Sequence, residues 1–308
     1  MSTVRPEGGV AAVVVTYHSG DVQRLVSALS EQCDHVIIVD NGSSRAEVDA
    51  LRQTCTESGA LLVTLGRNTG IAAAQNRGIE VARELGAQQV LLSDDDSAPE
   101  PGMVTRLLEG LELAQRSGPV AAVGPLIEEG DGADELIYVA RTWGPRRANR
   151  SETRVELAPV AFLVASGCLL SLDALDLVGP MNESLFIDHV DLEWGLRARR
   201  AGLGLFVVTR ARMSHSLGDR MVTIPGRRQP VHVHSATRNY YLVRNTTWLL
   251  RSALLPMRWR LGYVWWMLKY VGFNVLVNPP RAQRLNAALQ GVRDGALGRM
   301  GPRHERRA

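Results

Sequence analysis

The chain is short of several things, and each scarcity closes off a class of protein. It has three cysteines, Cys33, Cys55 and Cys168, spread widely over 308 residues and with no CxxC pair. They offer neither a disulfide framework nor a zinc site, so a reducing compartment is expected. Residues 1–9 are polar and lack the apolar core of a secretory signal, which adds to the expectation of a cytoplasmic protein with a flexible N-terminus. The segment Thr16-Tyr17-His18-Ser19-Gly20 is not the glycine-rich loop that a nucleotidyltransferase carries after its first strand. No internal repeat and no low-complexity tract interrupts the chain. The net charge is only +3, and the cations are not interleaved with a recognisable reader motif, so nucleic acid is not an expected partner.

What is there is a globular chain, 45% hydrophobic and long enough for one large domain or two smaller ones. Val10 to Thr16, His35 to Asp40, Ala60 to Leu65 and Gln89 to Ser93 are apolar, β-branched runs that read as strands buried on both faces. Between them, Asp21 to Ser30, Arg45 to Ser58 and Ile71 to Leu85 carry helical spacing. Strand and helix alternating through short loops predict a doubly wound, mainly parallel α/β sheet. Further on, a helix is expected over Met103 to Gln115 and strands over Val120 to Val123, Pro159 to Leu172 and Leu203 to Val208. The polar stretch Glu128 to Glu156 reads as a mobile insertion, and Leu185 to Gly202 as a turn and helix.

Ligands of such sheets sit beyond the carboxyl ends of the strands. Thr16, Asp40, Arg67-Asn68 and Asp94-Asp95-Asp96 all fall there. Two apolar residues running into three carboxylates suit a divalent cation with oxygen ligands, which in turn can hold a diphosphate; the plain alternative is a solvated turn. Gly70 permits close backbone approach, and the start of the following helix offers N–H groups to an anion. Ala72, Ala73, Ala74 and Gly78 read as packing, while Asn76 faces the same end of the sheet. Asp188 three residues before Asp191 also reads as a helix cap followed by a first-turn carboxylate.

The last quarter differs in character. Eleven Arg and Lys between positions 251 and 307 face only Asp294 and Glu305, and Trp248, Trp259, Tyr263, Trp265, Trp266, Tyr270 and Phe273 lie among aliphatic residues. Leu261 to Val277 is at the short limit for a membrane span. Aromatics mixed with cations favour a helix resting on an anionic membrane surface, with packing on the catalytic domain or a homodimer contact as alternatives. Residues 10–245 are accordingly expected to form the catalytic domain and 246–308 a basic, aromatic, helical extension.

Five segments taken in order resemble family 2 glycosyltransferases, which have the GT-A fold and use nucleotide-diphospho sugars. They are Val13-Val14-Val15-Thr16-Tyr17, Val39-Asp40-Asn41-Gly42-Ser43, Arg67 through Gly78, Asp94-Asp95-Asp96, and Phe186-Ile187-Asp188-His189-Val190-Asp191-Leu192-Glu193-Trp194. The acidic run followed by Ser97 and the Phe186–Trp194 phrase are similar to bacterial rhamnosyltransferases of surface polysaccharide synthesis, whose donor is dTDP-L-rhamnose.

The resemblance implies that Thr16 and Asp40 face the nucleobase and ribose, and that Arg67, Asn68, Gly70, Asn76, Asp94 and Asp95 contribute to the donor site. It implies a metal, Mn²⁺ or Mg²⁺, held by Asp94, Asp96 and His215. It makes Asp191 the base, Glu193 a second acid, and Asp188 the competitor to Asp191. Arg220, Arg227 and Arg228 are candidates for a diphosphate clamp. The expected reaction is inverting transfer onto a saccharide or polyprenyl-diphosphate-linked acceptor at the inner face of the cell membrane. The alternatives are a UDP- or GDP-sugar donor, or a non-catalytic membrane scaffold with a degenerate fold.

Overall fold

The computed structural model describes residues 9–129, 134–135, 137–149, 151–215, 220–222 and 231–303. The expected flexible tail, except Gly9, lies outside these residues, as do Arg227 and Arg228. The first half alternates as the apolar runs demand: β1 (Val10–Thr16), α1 (Gln23–Ser30), β2 (His35–Asp40), α2 (Arg45–Ser58), β3 (Leu61–Thr64), α3 (Ile71–Glu84), β4 (Gln89–Asp94), β5 (Ser97–Pro99) and α4 (Met103–Gln115). The second half is less regular: β6 (Val120–Glu129), β7 (Asp134–Glu135), β8 (Tyr138–Arg141), β9 (Gly144–Arg147), β10 (Leu157–Pro159), β11 (Leu169–Ser171), α5 (Leu172–Val178), α6 (Val190–Arg200) and β12 (Gly204–His215). Then follow β13 (Arg220–Val222), β14 (Val231–Val233), α7 (Ala236–Arg251), α8 (Met257–Leu276) and α9 (Arg281–Leu297).

The main sheet runs β10-β12-β6-β11-β4-β1-β2-β3. Its long pairings, β1 with β2 and β4, β2 with β3, and β6 with β12, are parallel. The antiparallel ones, including β11 between β4 and β6, each span only two or three residues. β1 is buried throughout because both faces of the sheet are covered. Ala11, Val13 and Val15 point into one core with Ala72, Ala74 and Ile79 of α3 and Trp194 and Ala198 of α6. Val10, Ala12 and Val14 point into the other, with Leu25, Val26 and Leu29 of α1 and Met103, Val104 and Leu107 of α4. The small residues of α3 are explained by closeness: a Cβ on Gly78 would lie 2.2 Å from Val13 Cγ1.

Four sequence expectations need correction. The strand expected over 203–208 continues to His215, because β12 leaves β6 for a short bulge and then pairs with it again through Ser214 and His215. The stretch 159–172 is not one strand: β10 and β11 are separated by a turn through Ser166-Gly167-Cys168. The polar segment expected to be mobile carries the paired strands β8 and β9. They are anchored by buried Ile137 and Val139. Finally, the division expected at 245/246 falls inside the continuous helix α7. No helix among the described residues is long and apolar enough to cross a membrane.

Candidate active site

The parallel register brings the donor-side residues to one edge. Thr16 lies beside Asp40 across β1 and β2, and Val15 beside Asp94 across β1 and β4. Thr16 is fully buried and its Oγ1 has no hydrogen-bond partner. Asp40 is 1% exposed and closes its own turn, accepting from the backbone N–H of Gly42 and of Ser43, each at 3.2 Å. The turn is thus built by the same carboxylate expected to read a base; its oxygens keep further acceptor capacity.

The acidic turn is braced by three serines, of which the sequence pointed only to Ser97. The Asp94 backbone N–H donates to Ser166 Oγ at 3.1 Å, and Ser166 Oγ meets Ser97 Oγ at 2.5 Å. Ser166 is fully buried, a polar residue inside an apolar run, and that mismatch was the available signal. Ser19 donates to Asp95 Oδ2, tying the loop after β1 to the turn. Antiparallel pairing of β5 with β12 sets His215 opposite Ser97, next in chain to Asp96. The backbone therefore brings together the three residues expected at a metal. Two carboxylates and an imidazole suit Mn²⁺, with Mg²⁺ favouring the oxygens alone. Among the described side chains no group of three His, Cys, Asp or Glu forms such a cluster, and the His215 side chain is not among them.

At the start of α3, where an anion is expected, protein groups take up three backbone N–H groups. Thr69 N–H donates to Asn41 Oδ1 at 2.8 Å, Gly70 N–H to Asn68 Oδ1 at 3.0 Å, and Ile71 N–H to the Phe186 carbonyl at 2.7 Å. With φ at +91° and a would-be Cβ 2.5 Å from Phe186 O, Gly70 admits the backbone of a neighbouring loop. Asn76 does not reach the donor edge either. Its amide donates to Met181 O and Glu183 Oε1 and accepts from Met181 N–H, bracing residues 181–183. Arg67 is exposed in its loop.

The segment Phe186–Asp191 forms a strained shelf. Phe186, Asp188 and His189 have φ of 64°, 63° and 62°; with His18 they are the non-glycine residues of positive φ among those described. Such strain persists only where surroundings over-determine it. Here α7 does so: Asn245 donates its amide to the carbonyls of Leu185, Ile187 and Asp188 at 3.0, 2.8 and 2.9 Å. Arg244 donates to Ser184 O and Leu185 O and lies over the Tyr241 ring. Both side chains are fully buried, on a helix that also buries Asn239 and Thr246. His189 Nε2 meets Thr246 Oγ1 at 2.8 Å, and burial pushes the imidazole pKa down to about 4, so it is neutral.

Asp188 does not cap α6, because the residue before the helix is His189 and no side chain caps it. The Asp188 carboxylate accepts instead from Arg238 Nε at 3.0 Å. Glu193 is buried and held by Arg197, whose guanidinium also binds Val178 O and Pro180 O. Asp191 is different. Desolvation first, then the negative charges of Asp94 and Asp188, push its pKa up to about 6, against a lowering bond from Leu192 N–H. It lines a cleft of about 270 Å³ between the β8–β9 hairpin and α8, whose walls include Tyr138, Phe162, Tyr263 and Trp266. A carboxylate beside the acidic turn and open to a cleft can take a proton from a hydroxyl there.

This arrangement has relatives. The model of glycosyl transferase family 2 matches residues 11–179. The chain is 30% identical over 300 residues to the dTDP-rhamnosyl transferase RfbF of Shigella flexneri, covering 94% of this chain and 96% of that one. It is 27% identical to the galactofuranosyltransferase GlfT1 of Mycolicibacterium smegmatis, over 84% of this chain and 89% of the other. In fold it is similar to the mannosyltransferase PcManGT from Pyrobaculum calidifontis in complex with GDP-Man and Mn²⁺, with a TM-score of 0.56 at 16% identity, over 95% of this chain and 76% of that one. Its fold is GT-A, with helices added at the C-terminus, and the chain belongs to glycosyl transferase family 2.

Proposed function

We propose that this glycosyltransferase moves L-rhamnose from dTDP-L-rhamnose, with inversion at the anomeric carbon, onto a saccharide or polyprenyl-diphosphate-linked acceptor. The observation that carries the transfer reading is Asp191, a desolvated carboxylate beside the acidic turn and on the wall of a cleft. With its pKa near 6 it is mostly ionised at pH 7 and still basic enough to accept a proton. The acceptor oxygen gives its proton to Asp191 and bonds to the anomeric carbon, as the bond from that carbon to the diphosphate oxygen breaks. Attack opposite the leaving group inverts the centre.

Asp94, Asp96 and His215 would hold a divalent cation, which when bound neutralises the departing diphosphate. Carboxylates already crowd this edge, enough for Asp94 and Asp188 to raise the Asp191 pKa, and that crowding favours a cation. Thr16 and Asp40 would receive the nucleobase, Asp40 accepting from its ring N–H. Full-length similarity to a dTDP-rhamnosyl transferase supports the sugar. Thymine and uracil present the same N–H to Asp40, so a UDP-sugar donor is the second reading. The test is nucleotide release from dTDP-, UDP- and GDP-sugars with Mn²⁺ or Mg²⁺, with EDTA as control. EDTA-sensitive release from dTDP-rhamnose above the others is expected; release from another donor alone overturns the sugar assignment.

The same proposal sets the enzyme on the inner face of the cell membrane through α8 and α9. Leu261, Val264, Trp265 and Leu268 are exposed at helical spacing on α8, with Leu285, Leu289 and Val292 on α9 and Arg258, Lys269 and Arg281 nearby. Replacing Trp265 and Leu268 by Asp should release the protein from phosphatidylglycerol vesicles. Undiminished vesicle binding contradicts the membrane reading, and a change from dimer to monomer would assign the face to a homodimer.

A further inference from the structure

We infer that the cleft between the β8–β9 hairpin and α8 is the acceptor subsite, shaped for one neutral sugar ring whose reacting hydroxyl meets Asp191. The inference rests on the transferase reading above and adds the residues that would select the acceptor. Asp191 lies on the cleft wall, so whatever fills the cleft touches the base. The walls are aromatic from both directions. Tyr138 and Phe162 stack with ring centroids 5.2 Å apart and planes 19° from parallel, and Tyr263 and Trp266 come from α8. Flat apolar faces match the C–H faces of a pyranose, while phenol and indole edges remain to meet its hydroxyls.

Charge narrows the ligand further. Arg146 is the one formal charge of the lining besides Asp191, and it is exposed; the lining imidazole of His189 is neutral. A diphosphate needs paired cations or a metal, so the cleft suits an uncharged ring and leaves any lipid diphosphate outside. A volume of about 270 Å³ is small beside pockets for drug-sized ligands, which begin near roughly 300 Å³, and suits a single ring.

The walls are also firmly joined. Trp259 Nε1 donates to Arg141 O at 2.8 Å, and Gly262 lies so close to Trp143 O that any Cβ would collide with it. Gly262, Tyr263 and Trp266 of the lining come from helix α8, which lies beyond the residues 11–179 that match the family model.

The test uses the full chain with dTDP or UDP and Mn²⁺ present, and a panel of methyl glycosides of rhamnose, galactose, mannose, glucose and N-acetylglucosamine. Binding is read by saturation-transfer NMR, without turnover. At least one glycoside should bind, and Trp266→Ala should weaken it by about tenfold, the effect of losing one stacking face. Trp143→Ala, at the exposed rim, should fold normally and weaken binding less. Nucleotide affinity should stay unchanged in both variants. Three results overturn the inference: no glycoside bound, glycoside binding that survives both variants, or loss of nucleotide affinity, which would give the cleft to the donor. Failure of the transferase reading would appear separately, as absence of nucleotide release in the donor panel.

Discussion

The donor edge of the sheet and the shelf that carries Asp191 sit side by side but are held in different ways. Thr16, Asp40 and Asp94 are the last residues of parallel strands, and the register of β1, β2 and β4 aligns them. Gly42 and Ser43 in the following turn support Asp40, and Ser166, in the turn before β11, supports Asp94. The shelf is irregular up to His189, and Asp191 sits in the first turn of α6. Three positive-φ residues are pinned by Arg244 and Asn245, 57 to 60 positions away. A sheet edge can thus present the residues of the proposed nucleotide site as a by-product of its own folding, whereas Asp191, the proposed base, depends on a helix about 50 positions further on. The shelf is tied by its backbone to the start of α3, through Ile71 N–H to Phe186 O, and Gly70 gives that contact its room.

Asp191→Asn breaks the comparison hardest. Transfer should fall by about 10²–10⁴-fold, the usual contribution of a general base, while nucleotide affinity holds. The same change should stabilise the fold. A carboxyl whose folded pKa is raised to about 6 costs stability in its ionised form; the cost is absent below its unfolded pKa, grows as pH rises from there to about 6, and is constant above. Thermal melts above pH 6 should show the variant more stable by up to about 3 kcal/mol, with the difference vanishing near pH 4. Asn245→Ala comes next. It leaves the carbonyls of Leu185, Ile187 and Asp188 without their amide, costing about 2–4 kcal/mol. Its melting temperature should drop and its transfer rate should fall further than its nucleotide affinity; an equal loss in both would mean that the two regions are not separable. Ser166→Ala is the mildest and acts on the other side. Losing the Asp94 N–H partner should cost about 1–2 kcal/mol and weaken metal-dependent nucleotide binding a few-fold, measured by titration, with little change in transfer at saturating donor.

The same contrast decides what could be read from sequence. The apolar runs ending at Thr16, Asp40 and Ser93 announce their strands, since a strand covered on both faces has to be apolar throughout. Position at a strand end then points to the donor edge. Asn76 and Gly70 sit in the same stretch, but their partners, Met181 and Phe186, lie more than 100 positions on and leave no local trace. Asp188 has the spacing of a cap, yet Arg238 takes its carboxylate and His189 starts the helix in a left-handed turn. The hairpin at 138–147 is too polar and too short to be recognised as strands, because its buried apolar anchors are few, Val139 with Ile137 just before it, and its ties to α8 run through backbone carbonyls. Arg244 and Asn245 lie in a helix of mixed composition, with Arg238, Asn239, Thr246 and Thr247 beside them, so neither their burial nor their partners leave a local trace.

The most direct test of Asp191 as the base is the pH–rate profile of wild-type enzyme beside Asp191→Asn, at saturating donor, metal and acceptor. Wild-type transfer should fall about tenfold per pH unit once pH drops below an inflection at or under about 6, where the carboxylate takes up its proton. The variant should be slow and flat across the same range. A variant with wild-type rate and the same inflection would assign the base to another group and contradict the account.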